Sequence, residues 1–484
     1  MPDTNPSEMP IPLGISADTG LPLDPIEPEM LKKIPSDLTS GLVREDLQAR
    51  AGGPGTSYGT IGEVDMQQLD QAGWGVIFAP QTDPKIREAL QPLLDHRAAE
   101  VGDDRLFKIF EGTTGFNPGD DAAIWLKRLG VRMDVVDPLL GVPFYLMIVA
   151  PPDVIPFEFQ YALDLYWGVG RLWFETADEF RQYAQSVIQY ETMSQVPTSR
   201  QIAVFAPRHD FDNATKTLVR EVANPMVEKT ETTVPIGTRQ KFVVQPFIGE
   251  TGEKATKNSL NRILTGAVDH GPPAVLFSGG HGKSFRADDP RQAGSQGALI
   301  TQDWASYGPV PRDAYFDASD VPSNAKVHGL VHFLFACYGG GWPEKDTYSR
   351  FDADHKTLAS RPAMARLPRA LLAHPEGGAL AVVAHIDRAW TYSFHGAGGP
   401  QTQGFRDVLG RVMRGDRLGQ ATDQFNMRWA VLSNDLAEMQ FRKPGEMDPQ
   451  VLANQWIARD DARNYVVYGD PAVRVRVEAM PALA

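Results

Sequence analysis

The fold of this chain is restricted most by a series of short apolar runs, each set off from the next by an amphipathic or polar stretch. They are Trp74–Ala79, Phe144–Ala150, Ile202–Ala206, Phe242–Val244, Ala274–Ser278, Gly329–Ala336 and Ala379–Ala384. Several are apolar throughout rather than alternating. A strand that is apolar on both faces must be covered on both faces, the condition of a parallel sheet between helix layers. Helix signals lie between the runs. Thr176 and Glu179 form a capping-box pattern ahead of Phe180, Tyr183, Ala184 and Val187. Phe405, Val408, Leu409, Val412 and Met413 follow a helical spacing. This alternation predicts an α/β fold with open parallel sheets and flanking helices. It runs twice, over 62–197 and over 198–400. A helical extension, 401–484, follows and contains the strand-like segment Tyr465–Val477. No short tandem repeat is visible, which argues against solenoids and propellers.

Residues 1–61 differ in kind. The first 60 residues hold nine of the 38 prolines, and 51–60 carry four glycines. Such a composition predicts a flexible arm ending in a linker. A pro-segment wrapped around the body is the alternative. The chain start has no basic region followed by an apolar run, and no stretch is long and apolar enough to span a membrane. The expected location is cytoplasmic, a mature secreted form being the alternative. Lys+Arg is 47 and Asp+Glu 61, a net charge of −14. An acidic surface argues against nucleic-acid and anionic-membrane partners, both of which need surplus cations.

Two of the apolar runs end in reactive side chains set among glycines. One reads Ala274-Val-Leu-Phe-Ser-Gly-Gly-His281-Gly282, the other Val331-His-Phe-Leu-Phe-Ala-Cys337-Tyr-Gly-Gly-Gly341. In open α/β sheets, ligands bind beyond the carboxyl ends of strands. If the strands are neighbours, imidazole and thiol face one crevice. A thiol needs a nearby base to become a nucleophile, and the imidazole can then protonate a leaving amine. The backbone N–H groups of Gly282 and Cys337 can serve a developing oxyanion. Cys337 is the only cysteine, which excludes an intrachain disulfide and a cysteine-rich zinc site. The competing reading of each residue alone is structural: a buried small hydrophobe and a core histidine.

The segments FSGGHG and FLFACYGGGW resemble the histidine and cysteine motifs of the caspase-like cysteine peptidases of clan CD, most closely the gingipain family. Gly378–Phe394 resembles the gingipain strand that ends in a substrate-pocket tryptophan, here Trp390. The stretch FYLMIVAPPDVIPF, with Asp164-Leu-Tyr166 and Val169-Gly-Arg171, resembles the inactive first half of those enzymes. Tyr468-Gly-Asp-Pro471 resembles a closing motif shared with CHAT-type proteins. The resemblance spans roughly 70–476. It implies two caspase-like, flavodoxin-like sheets, the first half inactive and the second catalytic. It also implies a cysteine endopeptidase with a Cys337–His281 dyad acting on protein or peptide substrates.

The interval between His281 and Cys337 is longer than the family pattern, so 283–327 is expected to form loops at the site rim. No acidic residue falls cleanly on the family's third catalytic position. The loop Ala206–Asp212 is expected to read the substrate residue before the scissile bond (P1). Asp210 or Asp212 there implies Arg or Lys, with Trp390 stacking on the cation. Arg208 implies Asp or Glu instead. Asp387 is a second acidic candidate. The polar segment Tyr338–Pro362 suggests processing after Lys345, Arg350 or Lys356. No cofactor is expected; calcium is a weak alternative without an EF-hand pattern. Three other readings remain open: a silent scaffold, a module fired by a regulatory protein, and an acyl hydrolase or transpeptidase on the same dyad.

Overall fold

The computed structural model describes residues 11–24, 59–231, 233–249, 252–349, 356–396, 399–442 and 448–481. The main strands, in chain order, are β1 (Gly14–Ser16), β2 (Trp74–Phe78), β3 (Phe107–Phe110), β4 (Tyr145–Val149), β5 (Gly168–Leu172), β6 (Ser199–Phe205), β7 (Val243–Phe247), β8 (Pro273–Gly279), β9 (Gly282–Ser284), β10 (Leu299–Ile300), β11 (Tyr315–Phe316), β12 (Val331–Phe335), β13 (Ala381–His385) and β14 (Tyr465–Gly469). Each of the seven apolar runs forms a strand within a few residues of its expected bounds. Strands β3 and β5 lie outside those runs. The first is a half-exposed edge strand, and the second carries two glycines and an arginine.

Ten strands make one sheet in the order β3-β2-β4-β5-β14-β13-β12-β8-β6-β7. The two blocks expected to form separate sheets are therefore joined. Strand β14 is the cause: it pairs parallel to β5 on one side and antiparallel to β13 on the other. All other neighbours in the sheet are parallel. The two blocks consequently run in opposite directions. The carboxyl ends of β8 and β12 open on one rim, those of β2 and β4 on the other. A ligand crevice at the strand ends can thus belong to only one block at each rim.

Helices cover both faces. They include α1 (Pro84–Val101), α2 (Ala177–Thr192), α3 (Asn213–Leu218), α4 (Gln403–Arg414), α5 (Asp423–Arg442) and α6 (Pro449–Arg463). The capping box on Thr176 and Glu179 is formed, and α2 buries the expected face against α1. Phe405, Val408, Leu409, Val412 and Met413 are the buried face of α4.

Charge is buried where the sheet closes. Arg97 of α1 donates from Nε to Asp470 at 2.7 Å and from both terminal nitrogens to Glu191. The indole N–H of Trp74 donates to the same aspartate at 2.9 Å. Asp470 follows β14 directly, so this cluster locks the last strand to the first block. Arg171 of β5 is also fully buried. Gln160 and the carbonyls of Ala150, Ile155 and Pro156 accept from it, and burial lowers its pKa to about 10. Removing one partner of a buried ion pair leaves an uncompensated charge, a loss of about 3–5 kcal/mol. Asp470→Ala is therefore expected to lower the midpoint of urea unfolding sharply, while an exposed control such as Asp178→Ala leaves it within error.

Candidate active site

The register between β8 and β12 is continuous from Val275↔Val331 to Gly279↔Phe335. Both strands thus end at the same level. Gly280 N–H donates to Phe335 O at 3.1 Å and prolongs the pairing. His281 and Cys337 follow at once, on adjacent strand ends. Gly282 packs directly on the cysteine backbone: a Cβ there would lie 1.9 Å from the Cys337 carbonyl oxygen. Only glycine permits that approach.

His281 is held from behind by Asp212. The imidazole Nε2 lies 2.9 Å from Asp212 Oδ2. Asp212 caps α3 by accepting from Thr215 N–H at 2.8 Å and Thr215 Oγ1 at 2.7 Å. Tyr307 Oη donates to its other oxygen at 3.0 Å. Burial works against the carboxylate, but the His281 pair and these hydrogen bonds prevail and hold its pKa well below the usual range. An ionised carboxylate only accepts, so the imidazole proton sits on Nε2. The buried Nδ1 has no hydrogen-bond partner among the described residues and keeps its lone pair for another proton. His209 and Trp304 wall this corner edge to face. His209 is buried, which lowers its pKa to about 4.

Cys337 has no exposed surface. Ala389 N–H donates to Sγ at 3.2 Å. Burial pushes the thiol pKa far up; the Ala389 N–H and the Arg388 charge offset it only partly. The flanking backbone is strained. Tyr338 has φ of 59° and Asp387 of 63°, and the first donates to the carbonyl of the second at 2.7 Å. Two non-glycine residues in the left-handed region, facing each other beside a thiol, fit the clustering of strain at reactive sites.

What covers the thiol is the N-terminal arm. Its segment 11–24 lies in the cleft. Leu13 N–H donates to Ala389 O at 2.8 Å and Thr391 N–H to Ile11 O at 3.2 Å. Pro12 bridges Trp390 in antiparallel fashion. Strand β1 then runs parallel to β9, Gly14 opposite Gly282. Between these stretches, the Leu13 carbonyl accepts from Gly282 N–H at 3.0 Å and from Cys337 N–H at 3.1 Å. A Cβ on Gly14 would fall 2.9 Å from Sγ. The backbone pairing, together with the full burial of Leu13 and Ile15, holds this segment against the body, where the sequence predicts a flexible arm.

The expected pocket residues are placed otherwise. Asp212 is behind His281, which supplies the acidic partner the sequence left in doubt. Its helix-capping relation to Thr215 was the available signal. Asp210 points to solvent and pairs with Arg208, whose backbone N–H donates to Gln302. Both stand on the exposed side of the loop because the buried side is taken by Asp212. Trp390 is fully buried. The indole has no exposed surface and packs with Tyr348, Leu436 and Trp456 in an apolar cluster of its own. Its backbone N–H donates to the fully buried Asp461 of α6 at 2.9 Å, while Ser393 Oγ donates to the other oxygen at 2.6 Å. Asp387 is buried: its Oδ1 accepts from Arg388 N–H at 2.8 Å, and Oδ2 has no hydrogen-bond partner among the described residues. Burial and neighbouring Asp346 raise its pKa.

The insertion after His281 carries β10 and β11, which join β9 and β1 in a small rim sheet. Lys345 bridges Thr357, and Asp346 N–H donates to Lys356 O; Arg350 lies outside the described residues. One group of metal-type donors, His96, Glu100 and Glu191, lies far from this cleft in sequence. The Arg97 guanidinium already pairs with both of its glutamates.

The model of peptidase family C25 matches residues 144–476, more than two thirds of the chain. The chain belongs to this family, the gingipain family of clan CD, and is a cysteine peptidase. Among solved structures it is similar to the Arg-specific cysteine proteinase gingipain R (13% identity, 86% of this chain and 80% of that chain, TM-score 0.44). It is also similar to the complex of the Porphyromonas gingivalis RgpB pro- and mature domains (12% identity, 84% and 80%, TM-score 0.46). No curated protein matches.

A thiol covered by its own chain and raised by burial should react slowly. Alkylation of Cys337 by iodoacetamide at pH 7.5 is expected to run at least ~100-fold slower in the folded chain than in urea and to accelerate as pH rises, since only the thiolate reacts. Mass spectrometry of the labelled peptide measures both rates.

Proposed function

We propose that this cysteine peptidase is an endopeptidase that uses Cys337 as nucleophile, His281 as acid and base, and Asp212 as the residue that orients the imidazole. The observation that carries the reading is the single carbonyl oxygen, that of Leu13, bound by both Gly282 N–H and Cys337 N–H. Two backbone donors converging on one carbonyl beside a thiol form an oxyanion hole. The chain offers no other cysteine. In the proposed cycle His281 Nδ1 takes the proton from Sγ, and the thiolate adds to the carbonyl carbon of the substrate. The oxygen gathers charge against the two N–H groups. As the C–N bond breaks, the imidazolium returns its proton to the leaving amine. Water, deprotonated by His281, then cleaves the thioester and frees the thiol.

The arm makes the described state latent. It fills the oxyanion site and pairs with both walls of the cleft, as a bound peptide strand does. Latency thus resides within the chain, as the pro-segment reading of the arm has it.

Cys337→Ala and His281→Ala are each expected to lower peptidase turnover by ~10³-fold or more, since members of one catalytic unit fail together. Gly14→Val should have the opposite effect. Its side chain collides with Sγ, lifts the arm and raises both turnover and probe labelling of Cys337 by about 10-fold or more. A fluorogenic assay with an active-site thiol probe reads all three variants. Asp212→Asn should depress kcat with little change in KM, because it disturbs the imidazole and not the cleft wall. Retention of full kcat would exclude the orienting role.

A further inference from the structure

The arm also displays how the cleft reads a substrate. We infer that the P1 pocket accepts an aliphatic side chain of leucine type, and that Ile11-Pro12-Leu13 is the chain's own copy of the preferred sequence. This inference rests on the peptidase reading above.

The argument begins with register. The residue whose carbonyl lies in the oxyanion site is P1, and that residue is Leu13. Its N–H is bound by Ala389 O, and two residues upstream Ile11 exchanges two hydrogen bonds with Thr391. These bonds fix the P1 position from both sides, so the neighbouring residues cannot take its place without losing them. The Leu13 side chain has no exposed surface and belongs to the main apolar core, the same cluster that holds Cys337 and Ala389. It is thus packed against buried apolar side chains and not against solvent.

The charges proposed from sequence do not reach that position freely. Arg208 and Asp210 pair with each other at the exposed side of their loop. Asp212 is committed to His281, Thr215 and Tyr307. Asp387 follows β13, and its carbonyl accepts from Tyr338, the residue after the thiol. Arg388, which bonds Asp346, lies beside it and bears on its charge, and burial favours the protonated form. The Asp387 charge is shared with the adjacent Arg388, and a P1 carboxylate would meet it unfavourably. A charged side chain in an apolar pocket is strongly disfavoured unless paired, whereas a methylene-scale change in an aliphatic one alters selectivity only ten- to a few hundred-fold.

The test uses the full-length chain as wild type, Leu13→Met, Leu13→Arg and Leu13→Asp. Each is assayed on blocked Ile-Pro-Leu, Ile-Pro-Arg and Ile-Pro-Asp aminocoumarins and with a thiol-directed probe for Cys337. Leu13→Arg and Leu13→Asp are expected to release the arm and raise hydrolysis of the leucine substrate at least about 10-fold over wild type, with Leu13→Met staying close to wild type. In the released variants kcat/KM for leucine should exceed that for arginine and aspartate by about 10-fold or more. Preference for arginine or aspartate, or a Leu13→Arg arm that inhibits as well as the natural one, overturns the inference and leaves the peptidase reading intact. Probe labelling without turnover of any of the three substrates also overturns it. No turnover and no labelling in any variant would sink the peptidase reading itself.

Discussion

The site depends on the alignment of two neighbouring strands. Because β8 and β12 pair without slippage from Val275 and Val331 to their last residues, His281 and Cys337 leave the sheet at the same level. A shift of one residue would turn every side chain of one strand to the opposite face. The inward-facing polar pair Ser278 and His332, bonded at 2.7 Å, lies within this ladder and resists such a slip. Everything downstream, from the shared carbonyl acceptor to the close approach of Gly282, follows from the two ends being level.

The electrostatics divide by position. Asp212 is held ionised in a buried setting because it accepts from an imidazole, an amide and two hydroxyls at once. Cys337, by contrast, is held as a neutral thiol because the arm excludes water from it. In the proposed proton relay one half is thus preset, and the other waits on solvent. The cleft wall is preset as well. Asp461, on the helical extension, binds the backbone of Trp390 and the hydroxyl of Ser393, so the segment that pairs with the arm is braced from behind.

Much of this was visible in the chain itself. Apolar runs located the strands that are buried on both faces, and glycine-flanked His281 and Cys337 located the rim. The misses share a cause: they depend on pairings between distant segments. Strand β5 was masked by Gly168, Gly170 and buried Arg171, which the carbonyls after β4 and the Gln160 side chain satisfy. The union of the two blocks needs β14, whose sequence does not say which edges it will fill. Asp212 looked like one acidic loop residue among several, because the imidazole it faces is on another strand. The alternation of Ile11, Leu13 and Ile15 was obscured by a proline-rich background. Trp390 was expected to offer its ring to a cationic P1 group, yet that ring is claimed by Tyr348 and Trp456.

Strand β14 also imposes an order on assembly. Its neighbours β5 and β13 are separated from it by long stretches of chain, and both present a bare row of amides and carbonyls until residues 465–469 arrive. On the ribosome, the first block can collapse early, but the two halves cannot be welded before the helical extension has been made. The interval leaves two unpaired edges on one nascent polypeptide, open to mispairing with each other or with a neighbouring chain. A peptidase built this way gains a safeguard from the delay: Asp461, which braces the wall proposed to receive a peptide, emerges with the strand that completes the sheet, so that wall is finished only with the molecule.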